Sequence, residues 1–536
     1  MLIKKNHISY ADTGRFSKII IDYLSNKETL NPFYDEFYST NNLKIQAEKK
    51  IKLFSDSNRK ILAESLNAQY KNLEISKSVK KNLELLGKNN SVTVTTGHQL
   101  SLMTGPLYFI VKIISTINLV EKLNSLYKEI NFIPVYWMAS EDHDFDEISS
   151  FNYKSKKIKW ETNQSGAVGK MNLNELEKSL DYFEKKLINS KNSQEIKRLI
   201  NSTYRSSKNL AEATLKIVNS LFGKYGLIII DGNSNSLKRL FKEYIKSEII
   251  SNNCYDIVLN QISSLKMDYN SKFKSQVNPR LINLFYLTKN GRYRIEKKKN
   301  EYILIGTDKK FSKNELINEI ENFPENFSPN VLMRPLYQEV ILPNIAYIGG
   351  GGELSYWFQL NKYFENEKVA FPILILRNSV LLINSKLSKK INKLKIKIKD
   401  LFLEKNLLIS KVIKENSKIS LDLNFLKDQL ESQFDFLEDL IKKTDKSFKG
   451  AVLAQKKKQI KGISNLEKKL LKSQKRKMND LVERINIIYE SIFPNNDLQE
   501  RQVNFFELYE EHGIDILSFL KKNIDPFDNN FIVLNF

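Results

Sequence analysis

One cysteine, Cys254, in 536 residues leaves no intramolecular disulfide and no cysteine-built zinc site to consider. No stretch of 18 apolar residues interrupts the chain, so no transmembrane helix is expected. The opening MLIKKNHISYADTG has no apolar signal-peptide core, and the expected location is cytoplasmic. Three catalytic signatures are also missing. No G-x-x-x-x-G-K-[ST] occurs, which excludes a Walker-type ATPase. No serine sits on a G-x-S-x-G elbow, and G-x-G-x-x-G is not met where a dinucleotide sheet would need it. Between 381 and 490 proline is absent and glycine occurs only at 450 and 462, so little there would interrupt helix.

What is present suits a globular protein of about two to four units, with 41% hydrophobic residues to build a core. The net charge of +23 invites a nucleic-acid reading, but its distribution argues against one. Residues 385–480 carry 26 Lys and Arg against 12 Asp and Glu, so more than half of the excess lies in one helical segment. Lys, Asn and Ile are abundant together, as an AT-rich genome encodes. A solvated Lys-rich face is the simpler reading, and neither nucleic acid nor membrane is expected as a partner.

The pattern along the chain is α/β. Residues 1–90 read as an N-terminal helical segment. Residues 91–150 form a first Rossmann-like βαβ unit: strand SVTVTT, helix PLYFIVKIISTINLVEKLNSLY with Pro106 at its first position, and strand FIPVYWMAS. Pro134 places the start of that second strand outside the ladder. A first connecting insert covers 151–222, core resumes at 223–265 with GLIIIDG, and a second insert covers 266–332. Core continues at 333–380. From Leu387 through Ile391, Leu394, Ile398, Leu401, Leu408 and Val412 a heptad stripe predicts a coiled coil within 381–492. Residues 493–536 read as a helical tail.

Ligands of parallel sheets sit beyond the carboxyl ends of the strands, so the polar segments there are the candidates. The first is TGHQLSLMTG, with Gly97, His98, Gln99, Ser101, Thr104 and Gly105, a turn whose glycines and following helix N-terminus suit an anion; Thr104 would cap the helix or bind phosphate. The second is WMASEDHDFDE, where Trp137 ends the strand and Glu141, Asp142, His143, Asp144, Asp146 and Glu147 crowd together. Such crowded carboxylates need a cation, an arginine or a substrate amine. Metal ligation, acid/base and amine-binding work, or a hydrated acidic loop are the open readings, and no protein-bound metal is expected because the calcium-loop and His-x-x-Glu-His patterns are missing. The third comprises Arg334 in MRPLYQEVILPN, the run Gly349, Gly350, Gly351 and Gly352 with Glu353 after it, and Arg377 and Asn378 at the end of FPILILRN. Consecutive glycines expose backbone N–H groups to an anion, and the arginines suit carboxylate or phosphate.

TGHQ with TGPLYFIVKIIST, PVYWMASEDHDFDEI, RPLYQEVILP and IGGGGELSYW together resemble the bacillithiol biosynthesis cysteine-adding enzyme family. The resemblance implies a Rossmann-like parallel-sheet core with two connecting inserts, as in class I aminoacyl-tRNA synthetases, and a long α-helical coiled coil that makes a homodimer. It implies that cysteine is joined to glucosaminyl malate through an activated carboxyl, with ATP as the suspected cosubstrate and Mg accompanying it. On this reading the 97–105 turn cradles phosphates, Asp142 and Asp144 hold an amine, and His143 takes a proton from it. Trp137, Glu141, Arg334, Glu353, Arg377 and Asn378 would then bind substrate. The alternatives are a nucleotidyltransferase or synthetase-like enzyme acting on another acid, and a non-enzymatic scaffold or nucleic-acid-binding protein.

Overall fold

The computed structural model describes residues 4–269, 273–288, 291–443 and 447–536. At its centre lie five parallel strands, β1 (Ser91–His98), β2 (Asn131–Met138), β3 (Ile228–Asp231), β4 (Asn344–Gly349) and β5 (Ile373–Leu376). Their spatial order is β3-β2-β1-β4-β5. The chain starts in the middle, builds outward on one side, then crosses back to build the other, which is the doubly wound Rossmann order. Strands covered on both faces read as continuous apolar or β-branched runs, and β4 and β5 are buried along their whole length. The hydroxyls of β1 are satisfied inside. Thr93 and Thr95 donate to Asn344 Oδ1 at 3.2 and 2.7 Å, and Thr96 donates to the Ile348 carbonyl at 2.8 Å. The same bonds tie β1 to β4.

Two details of the βαβ unit differ from expectation. Its helix runs Tyr108–Leu126, so Pro106 lies before the first turn and instead bridges to Asn504 of the tail. Pro134 is inside the pairing of β2 with β1, opposite Val94; β3 joins only from Val135, so one side of the strand has no partner where the proline sits.

Between β3 and β4 the chain builds a five-stranded antiparallel sheet in the order Lys310–Ser312, Glu301–Leu304, Arg292–Lys298, Leu284–Leu287, Phe327–Pro329. The chain ends are not simply helical. The segment Asn530–Asn535 is a strand, paired antiparallel with Lys4–Ser9 and parallel with Val380–Ile383. KKNHIS is too polar to announce a strand, and its partner lies more than 500 residues away.

The heptad stripe also resolves differently. Helix Ser385–Lys393 stops, a 3-10 turn spans Ile398–Phe402, and helix Lys405–Asn416 follows. Ile391, Leu401, Leu408 and Val412 are buried within the chain, where both helices pack on helix Asn479–Ile492. The extended element is the antiparallel pair Asn424–Ile441 and Ser447–Lys477, crossed by Lys427–Glu467 at 2.8 Å and Lys456–Glu438 at 3.3 Å, with Phe434 and Val452 buried in it. Among the described residues no helix is long and apolar enough to cross a membrane.

Candidate active site

The strand order reverses between β1 and β4, and their carboxyl ends open a crevice there. A cavity of about 650 Å³ fills it, lined among others by Gln99, Tyr108, Lys112, Arg334, Gly351 and Arg377. Lys112 is the one charge in the helical stretch PLYFIVKIISTINLV, and it is fully buried. Its Nζ donates to the Gly97 carbonyl at 2.6 Å and to Glu353 Oε1 at 2.9 Å, so it locks the end of β1 to the start of the helix after β4. Glu353 also accepts from Tyr347 Oη at 2.8 Å and from the Gly350 N–H at 2.7 Å. Burial would raise the Glu353 carboxyl, but Lys112 and these donors hold it below the usual carboxylate range. Its acceptor positions are therefore taken by the protein itself.

The two arginines differ in kind. Arg377 pairs with buried Glu500 at 2.8 Å and lies over the Tyr108 ring. Arg334 donates to Gln338 Oε1 at 2.8 Å and Tyr356 Oη at 3.2 Å, among the rings of Trp137, Tyr347 and Trp357. Among the described residues no carboxylate reaches Arg334 within ion-pair distance. A half-buried guanidinium whose hydrogen bonds go to neutral partners is an anion site by its chemistry.

A second cavity of about 510 Å³ opens beside the first, between the ends of β2 and β3 and the second insert. Trp137, Asp142 and Arg334 line both, so the two chambers meet at a waist. There Gln99 Nε2 donates to Asp142 Oδ2 at 2.9 Å and Glu147 Oε2 at 2.6 Å, joining the turn after β1 to the acidic loop after β2. The crowding of that loop is relieved group by group. Glu141 forms an ion pair with buried Lys238 and accepts from Ser328 at 3.1 Å. Asp144 caps the short helix Phe145–Ile148. For Asp142 burial works to raise the carboxyl, but the Gln99 amide and the backbone N–H groups of His143 and Asp144 donate to it and it is held well below the usual range. Among the described residues no group of three His, Cys, Asp or Glu side chains is disposed to hold a metal.

This geometry can be set beside known proteins. A profile described as the N-terminal Rossmann-like domain of bacillithiol biosynthesis BshC matches residues 3–378, and one for the C-terminal coiled-coil domain of BshC matches residues 380–536. The chain belongs to the BshC family. Relatives of nearly equal length, each named “Putative cysteine ligase BshC”, come from three bacteria. That of Flavobacterium johnsoniae is 46% identical over 527 residues, 98% of this chain and 99% of that protein. That of Flavobacterium psychrophilum is 47% identical over 528 residues, 98% of each chain. That of Christiangramia forsetii is 45% identical over 536 residues, 99% of each.

Within this BshC chain several candidate residues serve the scaffold instead of the cavities. Ser101, Thr104 and Gly105 line neither cavity. Their turn is bound by the tail: Asn504 Nδ2 donates to the carbonyls of Met103 and Gly105 at 2.9 and 2.8 Å, and the Leu107 N–H donates to Val503. Thr104 caps nothing, since the helix begins beyond it, and its hydroxyl is buried without a partner. Gly105 is required there, because at φ +63° an added Cβ would stand 2.7 Å from Ser101 Cβ. Asn378 bonds Ser115 and the Asp525 carbonyl, bridging helix to tail, away from both cavities. Gly349 closes β4 and accepts from the Arg377 N–H, while Gly350, Gly351 and Gly352 line the larger cavity. His98 lines it too, stacked on Phe109. Burial, then the charges of Lys112 and Arg377, push its pKa down to about 3, so it is a neutral ring and no cation for phosphate.

Lys112, Gly232 and Arg292 were not among the candidates. A lone lysine in an apolar helix is a legible signal, since a buried charge needs a partner. Gly232 follows β3, and a Cβ there would meet the Trp137 ring at 2.7 Å. Arg292 comes from the second insert, and only the fold brings it to the acidic loop.

Proposed function

We propose that this protein forms the amide between the carboxyl of cysteine and the amine of glucosaminyl malate in bacillithiol biosynthesis. The observation that carries the reading is the pair of chambers meeting at Trp137, Asp142 and Arg334, at the switch point of a BshC-family Rossmann core. An amide does not form from a free carboxylate and an ammonium in water, so the carboxyl must be activated. ATP is the cosubstrate that the site suits. Arg334 and the backbone of Gly350–Gly352 would hold its phosphates, with magnesium accompanying the nucleotide, and it would supply the activation. Asp142, kept ionised by its donors, would hold the attacking amine and stabilise the positive charge that grows on its nitrogen, whose proton then passes to water as the activating group leaves the carboxyl carbon. Trp137 would form the wall between the two substrates and exclude water from the reacting carbon. Alternatives in which another acid is activated, or in which the chain is a non-catalytic scaffold, gain nothing from the relatives' names.

The protein would act in the cytoplasm as a homodimer. The antiparallel helical pair leaves Phe425 and Phe436 59% and 67% exposed, a surface suited to a second copy. The test is mass spectrometry of the product from purified protein, cysteine, glucosaminyl malate and ATP, with each component omitted in turn. A cysteinyl product that needs all three is expected. No product, or an equal yield with another amino acid, would refute the assignment.

A further inference from the structure

The acidic loop is touched by a cation that no motif pointed to. Arg292 opens the strand Arg292–Lys298 of the second insert, opposite Leu287. Its guanidinium lies 4.0 Å over the Phe285 ring, and Nη2 donates to the Pro329 carbonyl at 2.8 Å. Nη1 stands 3.1 Å from Nδ1 of His143. Among the described residues no carboxylate pairs with Arg292. The protein thus brings a guanidinium into the cavity wall and points it at an imidazole.

We infer that Arg292 is a positioning residue that fixes the tautomer of His143, leaving its ring proton on Nε2. Arginine has only donors, so the contact at 3.1 Å requires a lone pair on Nδ1. The competing partner is Asp142, whose Oδ1 is 3.6 Å from the same nitrogen, too far for a hydrogen bond. That oxygen accepts instead from the backbone N–H groups of His143 and Asp144 at 2.7 and 3.3 Å. A neutral imidazole carries one proton, and with Nδ1 accepting it belongs to Nε2. Glu141, the next acid on the loop, is paired with Lys238 and does not compete for the ring.

The consequence is a change of role for His143. A base working through Nε2 would need its proton on Nδ1, facing a carboxylate, the arrangement of a Ser-His-Asp triad. Here the nearer partner of Nδ1 is the guanidinium, at 3.1 Å against 3.6 Å for the carboxylate, so the ring donates from Nε2. This rests on the reading of the cavity as the site of amide formation: such a donor suits the carbonyl oxygen of the activated cysteine as attack makes it negative. It also makes the second insert part of the catalytic arrangement, since the insert supplies the group that orients a side chain of the core.

The test is nitrogen NMR on the full chain labelled with ¹⁵N-histidine. The chain has four histidines, and H143Q identifies the signal of interest. In the wild type near pH 8, Nδ1 of His143 is expected unprotonated and Nε2 protonated. In R292M the tautomers should mix and kcat should fall by about a hundredfold with KM changed little, while R292K, still a donor, restores the signature and part of the rate. A wild-type ring with its proton on Nδ1, or a signature unchanged in R292M, overturns the inference. Absence of cysteinyl product with the Nε2–H signature intact would instead refute the proposed reaction and leave the pairing standing.

Discussion

Two regions of this molecule are dense in charge, and they use it differently. On the antiparallel helical pair, half-buried Lys456 meets Asp435 and Glu438 at 3.6 and 3.3 Å, carboxylates that are 70% and 45% exposed to water. At the mouth of the sheet, Arg377 meets Glu500 at 2.8 Å with side chains 7% and 0% exposed. The chemistry of the pairs is alike, and the solvent is not. Exposed pairs contribute little because water and salt screen them, whereas removing one partner of a buried pair strands the other. The abundance of charge that dominates the sequence is thus a poor guide to where charge matters.

The largest effect should come from testing that contrast directly. Arg377→Ala leaves the Glu500 carboxylate buried without its counter-ion and should destabilise the fold by about 3–5 kcal/mol in chemical denaturation. Lys456→Ala should leave the transition where it was. Equal losses in the two variants would break the comparison.

A second buried acid sharpens it through pH. Glu248, beneath the second insert, accepts from the N–H and Nδ2 of Asn283 at 2.8 and 2.9 Å, and Asn283 in turn binds Asn330 at the cavity wall. Burial pushes the Glu248 carboxyl up to about 7. A folded pKa above the unfolded one favours the native state at low pH. Its contribution is complete below about pH 4 and lost as pH rises through 7, a change on the order of 3 kcal/mol. Stability measured from pH 4 to 8 should decline more in the wild type than in Glu248→Gln, and what remains in the variant belongs to other buried acids such as Glu339, which burial also pushes up to about 7. A wild-type profile with the same slope as the variant would remove Glu248 as its source.

Arg334 is the exception at the mouth, a half-buried cation with no carboxylate within ion-pair distance among the described residues. Arg334→Ala should lower kcat/KM by about a hundredfold, near 2.7 kcal/mol of transition-state stabilisation, while the unfolding transition moves by less than about 1 kcal/mol. A large loss of stability together with activity would show that Arg334, like Arg377, is needed to hold the fold.

How much of this was legible follows the range of the interactions. The βαβ unit declared itself because strand, proline-led helix and strand are local patterns, and parallel pairing then forces Gln99 and Asp142 to one edge. The roles of Ser101, Thr104, Gly105 and Asn378 were not legible, since Asn504 and Asp525 of the tail decide them from 100 to 400 residues away. The same holds for Arg292 and His143, which are 149 positions apart. The heptads announced a coiled-coil domain but not what covers the stripe, for a related reason. A 4-3 stripe records that one face is covered, not by what, and at Leu387–Val412 the cover is the chain's own helix Asn479–Ile492.

The smallest expected effect on stability is therefore the one that separates arm from core. Excision of 385–485 would take Ile391, Leu401, Leu408, Val412 and Ile485, all buried, out of the core, and should prevent folding. Excision of 424–468 alone is different. Gln474 Nε2 donates to Ser417 Oγ at 3.2 Å, so the segment that leads into the arm already meets the arm's returning helix at its base and a short Gly-Ser linker can close the gap. Leu470 and Leu471, which pack against the core, are kept. The excised protein should melt within a degree or two of the full chain. The arm owes little to the core and the core little to it. Its oligomeric state carries the information: if the exposed Phe425 and Phe436 face a second copy, light scattering should give a monomer in place of a dimer, with the melt unmoved. A dimer that survives the excision would move the subunit contact onto the core, and a collapsed melt would show that the arm shares the core's stability after all.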